Sequence, residues 1–228
     1  MKHANIADLH GNLEAFQAVL ADIKSQSITQ IACLGDIVGY CANPKECLDL
    51  VRALNMSCVK GNHDEYCASE VPPAGLIPRL LRVIQWTRSQ LTVDDRQWLG
   101  NLPYVLNLAN FTIVHATLNA PHRWEYVFDK LAAAASFPHQ QTPVCFFGHT
   151  HVPVAFVRDT VARGGSYSKF KIDPDKKYFI NPGSVGQPRD NNPRAAYVIY
   201  DLTAGTIELR RLDYDLAKAQ RKMRDAGL

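Results

Sequence analysis

The sequence predicts an α/β (α+β) fold in which two layers of sheet are covered by helices. Three observations carry that expectation. Short β-rich runs and amphipathic helical runs take turns along most of the chain. Strand candidates crowd the C-terminal half more than the N-terminal half. No repeat, low-complexity tract or linker interrupts the pattern, and 228 residues suit one large domain or at most two small ones.

A first strand runs through Asn5 and Ile6 into Ala7. Leu13, Phe16, Leu20 and Ile23 recur at helical spacing and predict a helix from about Asn12 to Ser25 with one buried face. Strand Ile31–Leu34 comes next. Asn43 then Pro44 reads as an N-cap with proline at the first helical position, opening a helix to about Leu54. After it come strand Ser57–Lys60 and helices Pro78–Gln90 and Val93–Leu99. Tyr104–Leu108 and Phe111–Val114 are strands joined at hairpin spacing by Ala109-Asn110. A helix is expected over Trp124–Ala135. Val144–Phe147, Val152–Val157, Tyr178–Ile180, Ala195–Tyr200 and Thr206–Leu212 complete the strands. A second hairpin is expected at Thr203–Gly205 and an exposed turn at Gly164-Gly165-Ser166. A charged helix from Tyr214 to Ala226 ends at Gly227.

Composition narrows the class. With 46% hydrophobic and 21% charged residues the chain is an ordinary globular one, not disordered, collagen-like or membrane-embedded. A net charge of +3 gives no reason to expect dedicated nucleic-acid or membrane-surface binding. No apolar run reaches membrane-span length, and the N-terminus lacks the layout of a signal peptide. The six cysteines contain no C-x-x-C pair, so they read as reduced thiols of a cytoplasmic protein.

The segments at the strand ends carry the chemistry. Asn5-Ile6-Ala7 runs into Asp8-Leu9-His10, and Ile31–Leu34 into Gly35-Asp36. Ser57–Lys60 runs into Gly61-Asn62-His63-Asp64, Phe111–Val114 into His115, and Val144–Phe147 into Gly148-His149-Thr150-His151. Strands that share a direction bring their carboxyl ends to one crevice. Singly, Asp8 could be a helix cap, Asp36 a turn residue and His115 a hydrogen-bonded strand-end histidine. Five such coincidences at five strand ends favour a metal site. Asp, Asn and His supply oxygen and imidazole ligands suited to manganese, iron, nickel, zinc or cobalt. The set fits two ions better than one, because a carboxylate such as Asp36 has two oxygens and can bridge a pair. No cysteine belongs to it, which argues against a structural zinc knot.

These five segments, in this order, resemble the motif string of the calcineurin-like metallophosphoesterase superfamily: D-x-H, G-D, G-N-H-[DE], a lone His after a strand, and G-H-x-H. The resemblance spans the chain. It looks most like the compact bacterial and archaeal branch, in which the stretch Asn181 to Arg189 is also familiar. It implies a single domain over residues 1–228, built as a two-layered β-sandwich of mixed sheets flanked by helices. It further implies a phosphodiesterase or phosphatase using two divalent transition-metal ions, manganese first, and a metal-bridging hydroxide as nucleophile. Asp8, His10 and His151 would hold the first ion; Asn62, His115 and His149 would hold the second; Asp36 would bridge them. His63 would sit beside the phosphoryl group as proton donor or stabiliser of charge, and Asp64 would orient its imidazole. The substrate would be a small phosphorylated or nucleotide-type compound. The chain departs from its relatives at Cys41-Ala42 and in a less apolar first strand, which bears on loop shape and substrate fit.

Other residues read more plainly. His3, His122 and His139 are surface or loop histidines; Phe16, Trp86 and Trp98 are core. Cys33 and Cys145 are small buried hydrophobes within strands, and Cys41, Cys58 and Cys67 lie near the crevice. Gly183 and Ser184 are either a plain turn or touch the site through backbone groups. Arg189, and after it Arg123, are candidate phosphate contacts. Specificity would reside in loops Tyr66–Arg79, Asn119–Tyr126 and Arg158–Lys169.

Two competing readings share the fold. One is a non-catalytic scaffold, as in the retromer subunit that resembles the family and lacks a histidine important for catalysis; the presence of His63 and every ligand disfavours it. The other is a nuclease, disfavoured by the short remainder after Leu212. The chain is expected to act as a monomer or homodimer with no membrane partner.

Overall fold

The computed structural model describes residues 1–71, 73–108 and 110–228. Its first strand, β1 (Lys2–Ile6), lies inside a sheet rather than at an edge, and its last three residues are fully covered. It pairs parallel with β2 (Gln30–Cys33), Ala4 opposite Ile31. On its other side it pairs antiparallel with β11 (Ala195–Asp201), Ala4 opposite Ile199. With β3 (Ser57–Cys58), β12 (Thr206–Leu212) and β9 (Lys169–Lys171) these form one six-stranded mixed sheet, in the order β3-β2-β1-β11-β12-β9. The second mixed sheet comprises β4 (Val105–Asn107), β5 (Phe111–Val114), β6 (Val144–Phe146), β10 (Lys177–Asn181), β7 (Val154–Arg158) and β8 (Ala162–Gly165), in the order β4-β5-β6-β10-β7-β8.

Alternation along the strands sorts the core into layers. Val198 and Tyr200 of β11 join Val144 and Phe146 of β6 between the two sheets. Tyr197 and Ile199 face the other way, into a core with Phe16, Val19 and Ile23 of α1 (Leu13–Ser25) and Leu48 and Val51 of α2 (Pro44–Ala53). Cys145 of β6, with Phe147 just beyond it, packs outside the second sheet against Phe137, Phe156 and Phe179. Helices α4 (Pro78–Ser89), α5 (Val93–Gly100) and α7 (Leu216–Asp225) stand close to where the sequence puts them.

Five expectations are corrected. The helix expected over Trp124–Ala135 shrinks to α6 (Lys130–Ser136), because Trp124 sits in the left-handed region (φ 56°). Asp129 then caps the shortened helix, its Oδ1 accepting from Leu131 and Ala132 N–H. Gly164-Gly165 is no turn but part of β8, where a Cβ on Gly164 would overlap the Phe156 ring. Strand β7 begins at Val154 rather than Val152, after Pro153, which has no N–H to donate. A helix, α3 (Asn62–Ala68), and the three-residue β9 were not expected. Ala109 lies outside the described residues, while β4 and β5 on either side of it pair antiparallel, Leu106 opposite Ile113. All six cysteines are buried and free. Among the described residues no helix is long and apolar enough to cross a membrane.

Candidate metal centre

Strands β1, β2 and β3 run parallel to one another, as do β5 and β6, and the five loops leaving their carboxyl ends converge. The loops are laced by main-chain bonds that prolong the sheet: Asp8 N–H donates to Gly35 O (3.1 Å), His10 N–H to Asp36 O (2.9 Å) and Gly11 N–H to Ile37 O (3.0 Å). Asp8, His10, Asp36, His149 and His151 all lie in the left-handed region, with φ between 50° and 67°. Such backbone is costly for residues other than glycine and survives where its surroundings enforce it.

The structure brings the seven predicted ligands together. Asp8, His10, Asp36 and His151 form one group of donor atoms; Asp36, His115 and His149 form another, so Asp36 is shared. Asp36 Oδ2 lies 3.6 Å from His10 Nε2 and 3.4 Å from His115 Nε2. Asp8 Oδ1 is 3.6 Å from His151 Nε2, and Asn62 Oδ1 is 3.3 Å from His115 Nε2. The other carboxylate oxygen, Asp36 Oδ1, accepts the His63 main-chain N–H at 2.8 Å.

Each histidine is oriented by a carbonyl behind it. Nδ1 of His10, His115 and His151 faces the carbonyls of Val38 (3.2 Å), Leu34 (2.7 Å) and Gln187 (2.6 Å). His149 is reversed, its Nε2 on Trp124 O at 2.9 Å. The inward nitrogens crowd: 3.1 Å separates Nε2 of His10 and His151, and 3.2 Å separates His115 Nε2 from His149 Nδ1. Nitrogens so placed share a proton or a cation. Burial pushes His149 and His151 down to about 3, so both are neutral donors at pH 7. Burial works against charging His115, but the Asp36 and Asp8 carboxylates outweigh it and raise its pKa to about 9. Burial would also raise Asp36, yet His115, His63 and His10 hold it well below the usual carboxylate range. Asp8, raised to about 7 chiefly by burial, leaves Oδ2 with no hydrogen-bond partner among the described residues. The donor set and this orphaned oxygen fit divalent transition-metal ions.

His63 and Asp64 both lie on α3 but have separate surroundings. The His63 ring lines the crevice, 4.4 Å from the Tyr40 ring and 4.8 Å from that of His10, and its Nδ1 is unpartnered among the described residues. The expectation that Asp64 orients this imidazole is corrected. Its Oδ1 accepts from Ile37 (2.9 Å) and Val38 (3.3 Å) N–H, and its Oδ2 from Gly61 N–H (3.0 Å). Asp64 therefore ties the loop that carries Asp36 and the Val38 carbonyl. Gly61 lies so close beneath that loop that a Cβ would overlap Asp36 Oδ1 and its main-chain nitrogen. Gly61→Ala is expected to cost about 1–3 kcal/mol of stability and to lower metal content, read by thermal melting and metal analysis.

The crevice, about 250 Å³, is walled by Tyr40, Tyr66, Trp124 and Tyr126 around His63, His149 and His151. Tyr126 stacks on the His149 ring at 4.2 Å. Arg189 stands exposed at the rim, its guanidinium on Gln187 Oε1 (2.8 Å) and 5.8 Å from the Tyr40 ring centre. Arg123 also lines the crevice, beside Glu125 at 3.7 Å. His122 and His139 are exposed and His3 half-buried, packed edge-on against Phe111. Phe16 is fully buried, Trp86 and Trp98 only partly.

Sequence reasoning missed the support that Asn181 gives. Asn181 Nδ2 donates to Gly148 O (2.6 Å) and Thr150 Oγ1 (3.0 Å), clamping the loop of His149 and His151. Ser184 Oγ donates to Asp8 O (2.8 Å), and Val185 and Gly186 N–H bond Ala7 O and Asp8 O. Of the two readings of Gly183-Ser184, contact with the site holds for Ser184, through its hydroxyl. Asn181→Ala would leave the buried Gly183 N–H without the Asn181 Oδ1 to which it donates at 2.8 Å, costing about 1–3 kcal/mol. It should weaken metal binding about 10–100-fold, as loss of a support behind the ligands does, measured by metal titration.

Comparison with known proteins agrees with this geometry. The family model described as the calcineurin-like phosphoesterase superfamily domain matches residues 1–205. An uncharacterized protein of Methanocaldococcus jannaschii, MJ0912, is 39% identical over 225 residues, covering 96% of this chain and 90% of that one. The crystal structure of a metallophosphoesterase from Sphaerobacter thermophilus superposes with a TM-score of 0.89 at 38% identity, over 100% of this chain and 95% of that one. A hypothetical protein from Pyrococcus horikoshii, PH1004, shares the fold with a TM-score of 0.82 at 19% identity, over 100% of this chain and 94% of that one.

Proposed function

Because the chain belongs to the calcineurin-like phosphoesterase superfamily, we propose that it hydrolyses phosphoester bonds of a small phosphorylated compound with the help of two divalent ions. The observation that carries this reading is the pair of donor groups sharing Asp36, placed beneath a crevice that holds His63. Asp8, His10, Asp36 and His151 would hold one ion, and Asp36, Asn62, His115 and His149 the other. Ions bound there supply Lewis acidity and, from water, a nucleophile near neutral pH. Manganese suits the donor set, as do iron, nickel, zinc and cobalt.

The chain's own residues do the rest. The His63 imidazole borders the space where a phosphoryl group would lie and can give a hydrogen bond or proton to its oxygens. Arg189 at the rim can pair with phosphoryl oxygens that the ions leave free. The carbonyls of Leu34, Val38, Trp124 and Gln187 keep the histidines in one tautomer and orientation. A thiol nucleophile is disfavoured, since burial pushes Cys41 up to about 12 and Cys67 higher still.

The test is hydrolysis of bis-p-nitrophenyl phosphate and p-nitrophenyl phosphate by metal-stripped protein with Mn²⁺ restored. Release that depends on metal and is lost in Asp36→Asn supports the reading. No release by protein that has rebound its metal would overturn it for these ester classes.

A further inference from the structure

The crevice does not end at Arg189. A second cavity of about 580 Å³ lies beside it, and Tyr40, Leu80 and Arg189 line both. Arg79 and Arg82 of α4 line it too, and Val83 and Met223 add apolar surface to that of Leu80. Arg79 and Arg82 are exposed and make no hydrogen bond or ion pair among the described residues. Among the described residues no Asp or Glu side chain lines the cavity.

Resting on the phosphoesterase reading above, we propose that the two cavities are one extended substrate site. The scissile phosphoryl group lies over the metal centre, and a second phosphoryl group of the same organic molecule lies against Arg79 and Arg82, with Arg189 between them. Guanidinium groups pair with phosphoryl oxygens in a planar, two-point fashion, and three of them without carboxylate partners along one trough match a chain of phosphates. The apolar surface beside them suits the organic part of such a molecule and has no use for a bare inorganic anion. The substrate class is therefore an organic phosphate with at least two phosphoryl groups.

The probes are AMP, ADP and pyrophosphate, whose binding to metal-stripped protein is measured by calorimetry for the natural chain, Arg79→Ala/Arg82→Ala and Arg79→Lys/Arg82→Lys. ADP should bind the natural chain at least about tenfold more tightly than AMP, the scale of one charge-assisted hydrogen bond. That preference should vanish in the alanine pair and return in part in the lysine pair. Equal binding of AMP and ADP by the natural chain, or an undiminished preference in the alanine pair, would overturn the second phosphoryl contact. Pyrophosphate binding as tightly as ADP would overturn the organic arm. Absence of hydrolysis by the metal-loaded natural chain, with the ADP preference intact, would instead strike at the phosphoesterase reading and leave the extended anion site standing.

Discussion

Asp36→Asn is expected to lower metal content below that of the natural chain and to cut turnover at least about 100-fold, the upper end of what losing a mere support behind a ligand costs. The carboxylate has two different tasks, and an amide can do only one. Oδ1 receives the His63 N–H at 2.8 Å, while Oδ2 faces His10 and His115. If the amide oxygen keeps the His63 bond, an NH₂ group points at the metal positions and repels a cation. If the amide flips, its NH₂ meets the His63 N–H and the loop must shift. Either way the negative charge shared by both donor groups is gone. Metal analysis beside hydrolysis of bis-p-nitrophenyl phosphate reads both effects; full metal occupancy with full turnover would refute the assignment.

His63→Ala should behave differently: metal content stays, and turnover falls by about 10²–10⁴-fold, the range for a lost proton donor. The side chain is not among the grouped donors, and its contact with Asp36 is through the main-chain N–H, which alanine retains. Metal lost together with activity would mean that the imidazole is part of the ion-holding set.

The ligands were legible because their chemistry is written in side chains. Asp8, Asp36 and His115 recur at strand ends, and a strand end is recognisable from the apolar run before it. The groups that orient them were not legible. Leu34, Val38, Trp124 and Gln187 act through carbonyls, which every residue possesses. The resemblance implied that Asp64 orients the His63 imidazole, whereas the first turn of α3 aims its carboxylate at three main-chain N–H groups. The layers of sheet could be read from alternation, but β9, three residues long, carries too little pattern to stand out. Tyr40 shows the same limit, since nothing local says that its ring will lie on His63.

The placement of β1 between β2 and β11 has a consequence in time. A chain is made from its N-terminus, and β1 obtains its second neighbour only when Ala195–Asp201 has left the ribosome. Until then one edge of the strand that leads to Asp8 and His10 is open, and the Ser184 and Gly186 bonds that hold Asp8 do not yet exist. His149 and His151 also arrive late. The native arrangement around Asp8 and His10 is therefore completed only after residues 184–201 have joined the sheet.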